Sequence, residues 1–234
     1  MKKIKPIYLY DDNIGKVEYV EHMGCDLSVV NSARVSFGKH KQLLDEKDEK
    51  LINYLIKHRH TSTLEHCVVT FRFKVPLYVR SQHHRHRTWS YNEISRRYTE
   101  YNIEFYNPDL YRTQHKSNRQ ASNEDEFVSG PMCQPILGCQ VHESVRRHIN
   151  LVTKYYENLL KAGVCREQAR GLLPQNMYTE YYGTANLNNI LKFVDLRTHE
   201  GAQHEIQKVA KAVLQIAKQL YPITVGAYEK AKKH

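Results

Sequence analysis

Apolar residues in this chain come in short alternating runs early on and in helical spacings later. Lys16 to Met23 (KVEYVEHM) alternates loosely and predicts a strand closed by Gly24, and Cys67 to Val75 is β-branched and aromatic enough to predict a second. Between them, Lys47 to His58 puts Leu51, Ile52, Leu55 and Ile56 on one helical face. From Pro76 a helix is expected through about His86, because proline is favoured in a first helical turn. Further helices are predicted from about Leu137 to Lys161, with Val141, Val145, His148, Val152, Tyr155 and Leu159 on one stripe, and over Leu187–Leu196. The last runs from about Ala202 to Leu220, where Pro222 stops it. Strands first and helices later predict an α+β fold, a mainly antiparallel sheet packed with several long helices, in a single domain over 1–234. Residues Arg112 to Glu126 hold almost no apolar side chain and are expected to form a polar, mobile surface insertion.

Composition narrows the class. A hydrophobic fraction of 41% and a charged fraction of 26% are those of an ordinary globular protein, and no run approaches the ~20 apolar residues that span a bilayer. MKKIKPIYLYDD lacks an apolar signal segment, so a cytoplasmic location is expected, with no membrane partner. The five cysteines include no CxxC pair, which argues against a disulfide framework or a thiolate metal site and for reduced, mostly buried thiols. A net charge of +10 points to anionic partners, either nucleic acid or small phosphorylated ligands.

The arrangement of that charge discriminates. Its densest run, Gln82 to Tyr98 (QHHRHRTWSYNEISRRY), mixes arginines with Glu, Asn, Ser and Gln. Such a mixture suits a pocket for defined phosphates better than a sliding surface, since arginine grips phosphate bidentately while neutral groups orient the ligand. On a helix Gln82, Arg85 and His86 share a face; beyond it Glu93, Ser95 and Arg97 alternate and could line one side of an extended loop. His83 and His84 read as solvated surface residues, and Arg80 and Arg96 as surface residues or ion-pair partners. Ser95 has no GxSxG elbow around it and is expected to bind ligand rather than attack it.

Within this run stands R-H-R-x-x-S-x-N-E-x-S-x-R-Y, formed by Arg85, His86, Arg87, Ser90, Asn92, Glu93, Ser95, Arg97 and Tyr98. It resembles the signature of the flavin-dependent thymidylate synthases. Flanking segments extend the resemblance: H-x-S-x-x-E-H at His60, Ser62, Glu65 and His66, A-R-G-L-L-P from Ala169 to Pro174, and F-V-D-L-R followed by A-Q-x-E-I ending at Ile206. The resemblance implies reductive methylation of dUMP to dTMP, with 5,10-methylenetetrahydrofolate as carbon donor, NADPH-reduced FAD as hydride source and tetrahydrofolate as product. It implies a homotetramer with shared active sites and no nucleic-acid partner. Carried over residue by residue, it assigns FAD to Ser62, Arg85, His86, Arg87, Glu93, Asn186, Asn188 and Lys192. It assigns dUMP to Gln82, Arg85, Glu93, Ser95, Arg97, Arg170 and Arg197, makes Arg197 the catalytic residue, and places His60 near the folate. Asn188, Lys192, Gly201 and His204 depart from residues common in relatives.

Two other classes remain as alternatives. An RNA-binding module would bind polynucleotides with strong salt dependence and carry no chromophore. A hydrolase with a metal held by His58, His60 and His66 would need ligand spacing that the sequence does not offer, so no metal is expected.

Overall fold

The computed structural model describes residues 4–129 and 140–232. In chain order the elements are β1 (Ile7–Tyr8), β2 (Lys16–Met23), α1 (Asp26–Arg34), α2 (Glu46–Lys57), β3 (Val68–Pro76), α3 (Leu77–His83), β4 (Ser90–Glu93), β5 (Arg112–Gln114), β6 (Ser122–Phe127), α4 (Val141–Lys161), α5 (Arg166–Ala169), β7 (Tyr178–Asn186), α6 (Leu187–Arg197), α7 (His204–Leu220) and α8 (Pro222–Ala231). The main sheet has the order β1-β2-β3-β7-β4 and every pairing in it is antiparallel. With helices packed on the sheet this is the expected α+β class.

Alternation sets the two faces. On β3 the side chains of Val69, Phe71, Phe73 and Val75 are fully buried, while Arg72 and Lys74 point the other way and pair with Glu180 of β7. The buried face lies against α6, α7 and α8, whose Phe193, Ile206, Val213 and Val225 complete the main core. Gly183 of β7 keeps this layer thin, since a Cβ there would meet the Phe73 ring at 2.8 Å. A satellite core of Tyr156, Ala169, Leu173 and Met177 joins α4 and α5 to the strand entrance.

Several boundaries differ from the sequence-based expectation. α3 ends at His83 rather than near His86. Pro222 does end α7, but it also opens α8, because a proline at a first helical position loses no hydrogen bond. Helix α4 buries Ser144 and Tyr156 while leaving His148 and Tyr155 exposed, so the expected stripe is not the packed one. His142 near its start is held by Asn107 and Pro108, and Tyr156 near its end joins the satellite core; residues 137–139 fall outside the described residues. The polar segment from Arg112 to Glu126 is largely exposed but structured, pairing β5 with β6 and anchoring Arg112 on Glu205 of α7 at 2.5 Å. Cys67 is buried, whereas Cys25 and Cys165 are exposed, contrary to the expectation of mostly buried thiols; Cys133 and Cys139 lie outside the described residues.

Asp26, 4% exposed, closes the helical layer by accepting from Ile223 N (3.0 Å), Thr224 N (2.9 Å) and Thr224 Oγ1 (2.6 Å) at the start of α8. Replacing it leaves two backbone donors and a buried hydroxyl unpaired. Asp26→Ala should therefore lower unfolding stability by about 2 kcal/mol, read from the shift in a guanidinium midpoint.

Candidate active site

The first cluster forms where α3 ends. Val79 and His83 stand four apart on its inner face, so His83 is drawn into the core and is 0% exposed. The expectation that it is a solvated residue is therefore wrong. Its Nδ1 lies 2.9 Å from the Tyr181 hydroxyl, and its ring packs against Phe73, Trp89 and Phe193 at centroid distances of 4.8, 4.7 and 4.5 Å. Burial, reinforced by His86, His84 and Arg197, holds its pKa well below the usual imidazole range. His84 is half-buried and stacks on Tyr91 at 4.1 Å, so it too is packed rather than solvated.

Because α3 stops at His83, Arg85 and His86 lie in the turn beyond it and not on a continuing helical face with Gln82. Gln82 and His86 nevertheless meet at one side chain. Arg197, the last residue of α6, donates from Nε to His86 Nε2 at 3.0 Å and from Nη2 to the Gln82 carbonyl at 3.0 Å. A guanidinium can only donate, so His86 Nε2 must be bare and the ring hydrogen sits on Nδ1. His86 is correspondingly pushed down to about 4, first by burial and then by the charge of Arg197. The pair presents a fixed cation beside a neutral imidazole.

A second cluster follows β4. Glu93 accepts from Thr179 Oγ1 at 2.7 Å and pairs with Arg80 at 3.1 Å, which bears out an ion-pair role for Arg80. Arg96 is instead buried (7% exposed), with its guanidinium on the carbonyls of Tyr101 and Asn102, where it braces a turn that holds Asn102 at φ 48°. The chain turns at Ser95, whose Oγ accepts from Arg97 N at 3.3 Å and whose carbonyl accepts from Tyr98 N at 3.0 Å. Glu93, Ser95 and Arg97 therefore do not line one extended side. Arg97 reaches Glu167 at 3.2 Å, and Arg170 donates to the Glu167 carbonyl at 3.4 Å, so the two arginines gather at α5.

The third cluster lies between α2 and α6. Asn186 caps α6 by accepting from Asn189 N at 2.9 Å, and buried Asn188 donates to Glu65 Oε1 at 3.0 Å. Ser62, His60 and Lys192 are exposed, and the His60 ring stacks on Tyr54 at 5.7 Å and 16°. A cleft of about 590 Å³ opens here, lined by Leu64, Asn188, Leu191, Lys192 and Tyr228 among others. No hydrogen bond or ion pair among the described residues joins this cluster to the other two.

The sequence matches the family model of the thymidylate synthase complementing protein over residues 18–223. It is 40% identical over 215 residues to a flavin-dependent thymidylate synthase of Thermus thermophilus, covering 92% of this chain and 76% of that protein. With the corresponding enzyme of Kosmotoga olearia it shares 42% identity over 217 residues, covering 92% and 90% of the two chains. The chain belongs to the flavin-dependent thymidylate synthase family. In three dimensions it is similar to the UMP/dUMP methylase PolB of Streptomyces cacaoi, solved with 5-Br dUMP, at a TM-score of 0.80 and 32% identity, covering 96% and 97% of the two chains.

The residues present fit the flavin of this family. Arg85 and Arg87 are exposed and have no ion pair or hydrogen bond among the described residues, unlike Arg34, Arg72, Arg80 and Arg112, which hold carboxylates. Uncommitted guanidiniums are the donors that a pyrophosphate requires. In the sequence Gln203 and Glu205 stand out only as letters of A-Q-x-E-I. Gln203 nonetheless hydrogen-bonds the Gln82 side chain, and Glu205 hydrogen-bonds Gln203 at 2.8 Å.

The depressed histidines make stability depend on acid. An unfolded chain takes up protons near the ordinary imidazole value of about 6.5, while folded His83 and His86 resist them. Their contribution is full above that value and shrinks as pH falls toward 4, where His86 itself titrates. His83→Phe keeps the ring packing and removes one titrating group. Its melting temperature should fall less between pH 7 and pH 5 than that of the wild type, measured by calorimetry at both pH values.

Proposed function

We propose that this chain catalyses the reductive methylation of dUMP to dTMP at a site assembled from the three clusters. The observation that carries the reading is Arg197, held by His86 and the Gln82 carbonyl with Nη1 uncommitted among the described residues. Uracil C5 attacks an electrophilic one-carbon unit only as negative charge builds on the ring carbonyls, and a fixed, half-buried guanidinium stabilises that charge as it forms. Gln82 addresses the pyrimidine edge, while Arg97 and Arg170 with Ser95 address the phosphate and sugar, and Glu93 is held in place by Arg80 and Thr179. FAD would lie against Arg85, His86, Arg87, Ser62, Glu93, Asn186, Asn188 and Lys192; when bound and reduced by NADPH it supplies the hydride that completes the methyl group. The exposed rings of Tyr54 and His60 offer a stacking surface for the pterin of 5,10-methylenetetrahydrofolate. A cysteine nucleophile is not required, and burial pushes the Cys67 thiol up to about 12, away from thiolate chemistry.

The same reading makes the enzyme a homotetramer. Separation of the clusters, exposure of Ser62, Arg85 and Arg87, and apolar side chains left in water at Leu151 (53%), Tyr155 (57%) and Tyr98 (79%) all support sites completed by neighbouring copies. A cytoplasmic location suits the free cysteines Cys25, Cys67 and Cys165, and no described helix is long and apolar enough to cross a membrane.

Purified protein should carry FAD and release it on denaturation. Turnover in D2O should yield tetrahydrofolate in step with dTMP that contains deuterium; stoichiometric dihydrofolate with unlabelled dTMP would overturn the reading. Arg197→Ala should lose about 3 kcal/mol of transition-state stabilisation, measured as kcat/KM. Ser95→Ala should raise KM for dUMP while turnover persists. Light scattering should report a tetramer, and an active monomer would exclude shared sites.

A further inference from the structure

Behind Gln82 runs a line of polar side chains that ends on a buried carboxylate. Arg112, at the start of the polar hairpin, donates from Nη2 to Glu205 Oε1 at 2.5 Å. The second oxygen, Glu205 Oε2, accepts from Gln203 Nε2 at 2.8 Å. Gln203 Oε1 accepts in turn from Gln82 Nε2. Glu205 is 4% exposed, and burial alone would raise its pKa. The bonds from Arg112 and Gln203 outweigh that effect and hold the carboxyl below the usual carboxylate range, so it remains an anion.

That buried charge dictates the direction of each amide in the line. A carboxylate only accepts, so the atom of Gln203 facing Glu205 is its NH2 group. The carbonyl of Gln203 must then face Gln82, and the Gln82 atom opposite it must be an NH2 group. What remains of Gln82 is its carbonyl oxygen, which makes no hydrogen bond among the described residues, and the second hydrogen of its NH2 group. A free glutamine turns its amide over readily. Here reversal at Gln82 sets two carbonyls face to face, and reversal at both amides sets a carbonyl against a buried carboxylate.

We propose that Arg112, Glu205 and Gln203 are positioning residues that fix Gln82 as a hydrogen-bond acceptor, making the site a reader of pyrimidines that carry a hydrogen at N3. The inference rests on the placement of Gln82 at the pyrimidine edge in the function proposed above. Uracil presents N–H at N3 and is accepted. Cytosine presents a bare nitrogen there, and its lone pair meets the Gln82 carbonyl oxygen. The A-Q-x-E-I motif thereby acquires a purpose in substrate choice, and so does the hairpin, whose first residue supplies the cation that keeps Glu205 ionised.

The test is the ratio of dUMP to dCMP affinity, measured by titration calorimetry on the FAD-loaded oligomer. Wild type should prefer dUMP. Glu205→Gln preserves shape but removes the charge that sets the amides, and the preference should shrink about tenfold, the scale of one hydrogen bond gained or lost at a polar site. Gln203→Met, at a half-buried position, should shrink it as well, which decides the matter should Glu205→Gln fail to fold. Arg112→Lys retains a cation on Glu205 and should preserve the ratio. Mere loosening of the fold would weaken both nucleotides alike and leave the ratio unchanged. A ratio that survives Glu205→Gln and Gln203→Met with dUMP still bound, or a wild type with no preference, overturns the relay. Failure of the wild type to bind any dUMP is a different result, and it overturns the reading of the site beneath the relay.

Discussion

The site depends above all on the pairing of β3 with β7. It runs in unbroken antiparallel register from Val68 opposite Asn186 to Pro76 opposite Tyr178. Each strand passes directly into a helix, β3 into α3 and β7 into α6, and the antiparallel sense starts these helices at opposite ends of the pair. Nine strand residues span about 30 Å, while helices of seven and eleven residues cover about 10 and 16 Å. Running back over the same face, the two helices consume most of that length, and their C-terminal ends meet. Arg197 stands at that meeting point as a cation among helix-end carbonyls, which favours it there through the helix dipoles as well as through the direct bond to Gln82.

Tight packing beneath this junction keeps it in place. Gly183 admits the Phe73 ring, Phe73 stacks on Tyr181 at 5.0 Å and 17°, and His83 fills the remaining gap below His86. Because His83 is neutral and enclosed, the charge of Arg197 is not opposed by a second cation from below. A protonated histidine there would repel both Arg197 and any proton approaching His86.

Much of this was legible in the residues themselves. β2, α2, β3 and α7 announce themselves by period, and the arginine-rich signature with its flanking motifs pointed to the family and to Gln82, His86 and Arg197. β7 was missed because YTEYYGTAN carries Glu180, Gly183 and Asn186 at positions that resemble a loop; only its partner strand reveals that they alternate about a buried face. α8 was missed because Pro222 was read as a stop rather than as a stop and a start. His83 could have been placed from its spacing to Val79, but the neighbouring basic residues outweighed that signal. Links such as Gln82 to Gln203 join residues 121 positions apart, and no local pattern encodes such a contact.

The grip of Asp26 on the start of α8 joins residues nearly 200 positions apart, close to the two ends of the described chain. While the ribosome is still at work, α1 has no partner for that carboxylate, and the core face of β3 waits for β7 and the helices after it. Burying Asp26 without its donors would strand a carboxylate in apolar surroundings, so the early segment has reason to stay solvated until α8 emerges. Long-range closure of this kind slows folding, because the entropy of closing so long a loop has to be met before the contact is gained. The chain is thus protected from locking in a partial core, at the expense of a longer interval in which the apolar strand β3 stands exposed to other chains.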